Sequence, residues 1–131
     1  MCNFSIISKT RNYVRPDLVV GEPIIDIKNG RHPVVEKSLQ NTGMMFTPND
    51  CKLNNKISTW LMTGPNMAGK STFLRQTAVI VLLNQIGCFV PADYARLSVF
   101  DKIFSRIGAS FITSRGRATS INFLRRFITF T

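Results

Sequence analysis

Eight consecutive residues carry the most specific chemistry in this sequence. Gly64-Pro65-Asn66-Met67-Ala68-Gly69-Lys70-Ser71 fits the spacing G-x-x-x-x-G-K-[ST]. Glycines at 64 and 69 let the backbone curl so that successive N–H groups face an anion. The Lys70 ammonium is expected to reach the β- and γ-phosphates of a nucleotide, and the Ser71 hydroxyl to ligate Mg²⁺. Other chemistries are poorly served. His32 is the only histidine, and with Cys2, Cys51 and Cys88 it shows none of the close ligand spacing of a zinc site of Cys and His type. A single histidine beside Pro33 is also a poor base for a Ser-His-Asp arrangement. Cys2, Cys51 and Cys88 stand far apart, which argues against a disulfide framework and for a reducing compartment.

The phosphate motif needs a strand before it and a helix behind it. Ile57 to Thr63 is a short β-rich apolar run, read as a buried central strand. Lys70 to Ile86 runs without Gly or Pro and reads as a helix. Val79 to Leu83 is apolar almost all round, so burial on several sides is expected. Gly87 is placed to end the helix as a C-cap glycine. Upstream, Asp17 to Ile27 reads as short extended segments around a Gly-Glu-Pro turn, and Asn29-Gly30 as a further turn. Val34 to Leu39 reads as one helical turn, and Asn41 to Asn55 as loop and edge strand. Arg96 to Phe100 and Lys102 to Ile107 read as strands.

The chain has 131 residues and a formal net charge of +10, which allows one domain. The apolar stretch Thr77 to Val90 is interrupted by Asn84 and Gln85 and falls short of the ~20 residues of a membrane span. No membrane partner is expected. Residues 1–16 contain Lys9, Arg11 and Arg15 and no acid, a balance shared with mitochondrial presequences, but without an amphipathic repeat. Residues 111–131 carry Arg115, Arg117, Arg125 and Arg126, again with no acid. Such an excess suits nucleic acid; the plainer reading is a fragment separated from the acidic part of its parent.

The words around the motif are specific. Thr63 to Gln76, TGPNMAGKSTFLRQ, resembles the P-loop of the MutS family of DNA mismatch-repair ATPases, which belong to the ABC type. Ala68 stands where the family usually has glycine. Segments 30–36 (GRHPVVE), 46–50 (FTPND), 85–92 (QIGCFVPA) and 101–109 (DKIFSRIGA) also follow the family, together covering roughly Asn12 to Ser110. Residues 49–51 and 71–75 look closest to the mitochondrial-type homologue of fungi.

The resemblance implies an α/β fold: a P-loop NTPase domain of ABC type, partial, lacking the second half of its sheet. It implies ATP and Mg²⁺ as ligands. Gly64, Pro65, Asn66, Met67, Ala68, Gly69, Lys70, Ser71 and Thr72 would hold the nucleotide. Phe46 would stack on adenine, Asn66 would sit near the γ-phosphate, and Thr72 near the α-phosphate. His32 and Arg31 would organise the entry to a strand rather than touch ligand. Implied partners are mismatched double-stranded DNA, through the full-length protein, and a dimer partner subunit. The expected compartment is mitochondrial or nuclear, without secretion.

Residues 1–20 are read as a connector, 21–110 as the partial ATPase domain, and 111–131 as a basic aromatic tail outside the family pattern. The family's signature and its acidic Walker B segment are not found in the sequence, so the catalytic residues are unknown and hydrolysis by this chain is open. The resulting expectation is an ATP-binding fragment of a mismatch-repair protein. The alternatives are an inert truncated product and a small P-loop kinase.

Overall fold

Alternating apolar residues build the main sheet. The computed structural model describes residues 2–65, 68–104 and 122–125, with side chains described for 4–65 and 68–104. In chain order the elements are α1 (Cys2–Thr10), β1 (Asp17–Val19), β2 (Ile25–Gly30), α2 (Pro33–Asn41), β3 (Asn49–Leu53), β4 (Thr59–Met62), α3 (Lys70–Gln85), β5 (Tyr94–Ser98) and β6 (Asn122–Arg125). The arrangement is mixed α/β. A four-stranded sheet has the order β1-β5-β2-β3, with β1 and β5 parallel and the other pairs antiparallel.

Residues two apart along a strand share a face. Ile25 and Ile27, Cys51 and Leu53, and Ala95 and Leu97 therefore bury one side of the sheet together. α3 covers that side with a helical stripe that includes Phe73, Ile80 and Val81. Its outer face is less covered than the apolar sequence predicts, for Leu82 and Ile86 are exposed. One sheet layer hides only one stripe of a helix. The helix ends as expected: Gly87 has φ 75°, Gly87 N–H donates to Asn84 O and Cys88 N–H to Leu83 O. That pair of bonds is the Schellman pattern.

Several local expectations are corrected. Residues 33–41 form a full helix, begun by Pro33 behind an N-capping His32, rather than one turn. Asn29-Gly30 makes a bulge within β2 and not a hairpin turn: Asn29 has φ 49°, and the register against β3 shifts between Ile27 and Gly30. The strand before the motif is shorter than expected and not central. β4 pairs antiparallel with β6 in a separate two-stranded sheet. Its side chains are held to the main core by a parallel stack of Trp60 on Phe73, ring centroids 5.9 Å apart. Of the two expected later strands, the first is Tyr94–Ser98, while 102–104 are not strand and 105–107 lie outside the described residues. No helix among the described residues is long and apolar enough to cross a membrane.

Candidate functional site

The loop after β4 turns sharply at its two glycines. Gly64 has φ 147° and Gly69 φ 84°, both in the region that disfavours other residues. Gly69 is the N-cap of α3 and brings no capping side chain. The N–H groups of the first helical turn have no partner within the helix itself, so this end suits an anion. Lys70, at the start of the helix, is only 7% exposed. Its Nζ donates to Gly64 O at 2.6 Å and to Pro65 O at 2.5 Å. The ammonium is thus folded back over its own loop, with carbonyl oxygens in the position an anion would take.

A cleft of about 830 Å³ opens beside the loop. Gly64, Pro65, Ala68, Gly69, Lys70 and Thr72 line one part of it. Phe46 and Thr47, from the segment between α2 and β3, line another. Asn66 and Met67 lie outside the described residues. Ser71 is half-buried on the first turn of α3 and is not among the side chains lining the cleft. Trp60 and Asn49 also line the cleft. Asn49 belongs to the 46–50 segment whose resemblance to the family implied contact with adenine, whereas Trp60 had no expected role in the site. The available signal for Trp60 was its place as the sole tryptophan, four residues before Gly64.

The cleft is apolar apart from Lys70, a few hydroxyls, one amide and backbone groups. None of the seven acidic side chains of the chain lines it. No group of three His, Cys, Asp or Glu able to hold a metal occurs among the described residues. The Ser71 hydroxyl, on the first turn of α3 beside the cleft lining, is the side-chain oxygen that would hold a magnesium ion, which would fit only if a bound phosphate and water supplied the rest of its shell.

His32 and Arg31 lie in a structural cluster. His32 Nδ1 accepts from Val35 N–H at 3.5 Å, and burial depresses the imidazole pKa, with Arg75 adding to the effect. Arg31 donates to Glu36 Oε1 at 3.0 Å and to the carbonyls of Arg11 and Asn12 at 2.9 and 3.1 Å. Its guanidinium also lies 5.7 Å from the centroid of the Tyr13 ring. These contacts tie the end of α1 to the start of α2. The cysteines differ from one another: burial pushes the Cys51 thiol up to about 12, whereas Cys88 is half-buried.

The comparisons with known proteins agree on family. The model for MutS domain V matches residues 60–126, a span containing the glycine loop, α3 and β6. The DNA mismatch repair protein MutS of Orientia tsutsugamushi (strain Ikeda) is 52% identical over 118 residues, covering 90% of this chain and 13% of that protein. MutS of Rickettsia akari (strain Hartford) is 53% identical over 118 residues, with the same coverage of 90% and 13%. MutS of Lactobacillus gasseri is 50% identical over 119 residues, covering 91% and 14%. The chain therefore spans about an eighth of the length of these relatives. They are bacterial, which corrects the expectation of a mitochondrial or nuclear compartment. By the span of the domain match and the identity shared with these relatives, the chain belongs to the MutS family of DNA mismatch repair proteins.

Proposed function

We propose that this chain binds ATP in the cleft between the glycine loop and the Phe46 segment, as part of the P-loop ATPase module of a MutS-type protein. The observation that carries the reading is the shared cleft: a lysine-headed glycine loop and an aromatic side chain lie on its walls. Its size is in the ~300–1,000 Å³ range of ligand sites. Phosphates exchange for the carbonyls of Gly64 and Pro65 as partners of Lys70, and the uncapped turn of α3 adds its N–H groups. Phe46 offers an aromatic face to the base, and Thr72 a hydroxyl. Ser71 is the protein ligand for Mg²⁺. In this reading the whole protein uses the module on mismatched double-stranded DNA and as a dimer. The narrower likeness to a fungal homologue is not part of the proposal, and membership of the MutS family leaves the small-kinase alternative without support.

Binding and turnover are separate demands. Phosphoryl transfer to water needs a group to orient the water and a carboxylate to help hold the metal. The cleft has no acidic side chain, and residues 105–131 contain no acid at all. This chain is therefore expected to bind ATP and to release phosphate negligibly.

Calorimetry of Lys70→Ala tests the reading. Loss of the one cation that lines the cleft among the described residues is expected to cost about 1.5–3 kcal/mol, the range for a hydrogen bond to a charged group. That is roughly a 10- to 150-fold weaker Kd. Unchanged ATP affinity in the variant would overturn the site. Phosphate release by the native chain that vanishes in Lys70→Ala would overturn the expectation of negligible turnover.

A further inference from the structure

We propose that Gln76 is a positioning residue that fixes the Phe46 segment relative to the phosphate-loop helix, so that base and phosphates are engaged together. The inference rests on the ATP reading above. Gln76 lies on α3, six residues beyond Lys70, and its side chain is fully buried. The buried face of α3 mixes apolar Phe73, Leu74, Ile80 and Val81 with Lys70, Thr77 and Asn84, and Phe73 and Ile80 lie on the turns either side of Gln76. Packing alone favours Leu or Met at such a site, because a buried amide is costly unless its hydrogen bonds are made.

The amide points at the segment that carries Phe46. Gln76 Oε1 accepts from Asn49 Nδ2 at 3.4 Å, and the same Asn49 amide donates to Thr47 O at 3.0 Å. Asn49, Thr47 and Phe46 all line the cleft. A chain of contacts therefore runs from the loop helix, through one side-chain amide, to the residue next to Phe46.

The other end of the amide sits in a notch. A Cβ placed on Gly30 would lie 2.7 Å from Gln76 Nε2, 2.9 Å from Ile27 Cγ2 and 3.1 Å from Asn49 O. Only glycine leaves room there. The bulge at Asn29 and Gly30 faces this point, opposite Asn49 in the register. Nε2 finds no acceptor among the described residues. The 3.4 Å bond is itself at the long limit for a hydrogen bond. Position is thus held by the notch as much as by the bond, an arrangement expected of a spacer between two parts of a site rather than of a core residue chosen for stability.

The test compares two ligands on the full chain by calorimetry with Mg²⁺ present: ATP and inorganic tripolyphosphate, which has no base. Gln76→Met keeps the length and removes the amide; Asn49→Ala removes the relay from a half-exposed position and leaves the core intact. Each variant is expected to weaken ATP about tenfold and tripolyphosphate less than twofold. The double variant is expected to be no weaker than either single, as for two members of one chain of contacts. Equal losses for both ligands, no loss for either, or additive losses in the double variant would overturn the positioning role while leaving the ATP site in place. If the native chain binds neither ligand, the ATP reading fails and the positioning role with it. If Gln76→Met does not fold in a thermal melt, Asn49→Ala decides the matter by the same two-ligand comparison.

Discussion

β5 and β4 make an instructive pair. β4 (TWLM) is the more apolar of the two, yet none of its residues is fully buried and Leu61 is 60% exposed. β5 (YARLS) carries an arginine and a serine, yet Ala95, Leu97 and Ser98 are all buried. The difference lies in their neighbours. β5 is sandwiched between β1 and β2 in a sheet whose buried side is shared with α3. Among the described residues β4 pairs only with β6. Burial is therefore set by the layers around a strand and not by its composition, and stability is concentrated in the sheet that does not carry the phosphate loop.

Truncation in the stable region is expected to have the largest effect. Leu97→Ala removes a fully buried side chain, and urea unfolding is expected to show a loss of about 2–5 kcal/mol. A loss below ~1 kcal/mol would break the comparison. Gly30→Ala comes next. The added methyl meets Gln76 and Ile27 below 3.0 Å, and the overpacking is expected to cost about 1–3 kcal/mol by the same measurement.

The third prediction concerns pH. The Cys51 thiol is raised from 9.0 to about 12 by burial. Above the unfolded value the unfolded chain gives up this proton while the folded chain keeps it, so stability must fall as pH rises between 9.0 and about 12. The slope from this one group approaches about 1.4 kcal/mol per pH unit. Cys51→Ala is expected to remove that component from the alkaline limb, and an unchanged slope would show that the thiol is not shielded. The smallest effect is expected at β4: Leu61→Ala falls at a mostly exposed site and is expected to change stability by less than ~0.5 kcal/mol. A large loss there would mean that β4 has a covering layer in solution.

What could be read from the sequence followed the range of the interactions. The α3 boundaries and its glycine stop were legible, because capping and the absence of helix breakers act within a few residues. The loop glycines were legible for the same reason. The position of β4 at the edge of a two-stranded sheet was not, since pairing with residues 122–125 is set by tertiary packing. The Asn29-Gly30 bulge was read as a turn because the two share the same positive-φ preference, and only the partner strand distinguishes them. Arg31 and His32 were expected to organise the entry to a strand; instead His32 caps α2, and Arg31 joins the end of α1 to α2 through partners more distant in the chain. Trp60 and Gln76 gave no local signal of their place around the cleft, and Asn49 only its membership of the 46–50 segment. Their significance comes from what faces them across the fold.

The stack of Trp60 on Phe73 gives the molecule a natural optical gauge. Trp60 is the sole indole of the chain and is half-buried on the strand entering the loop. All tryptophan emission on excitation at the red edge therefore originates beside the cleft, and none from the four-stranded sheet. Far-ultraviolet dichroism samples the whole backbone instead. On heating, the two signals coincide only if both sheets melt as one cooperative unit. If the emission shifts to the red at a lower temperature than the dichroism is lost, the edge carrying the loop opens first, and an undyed, unlabelled sample would report it.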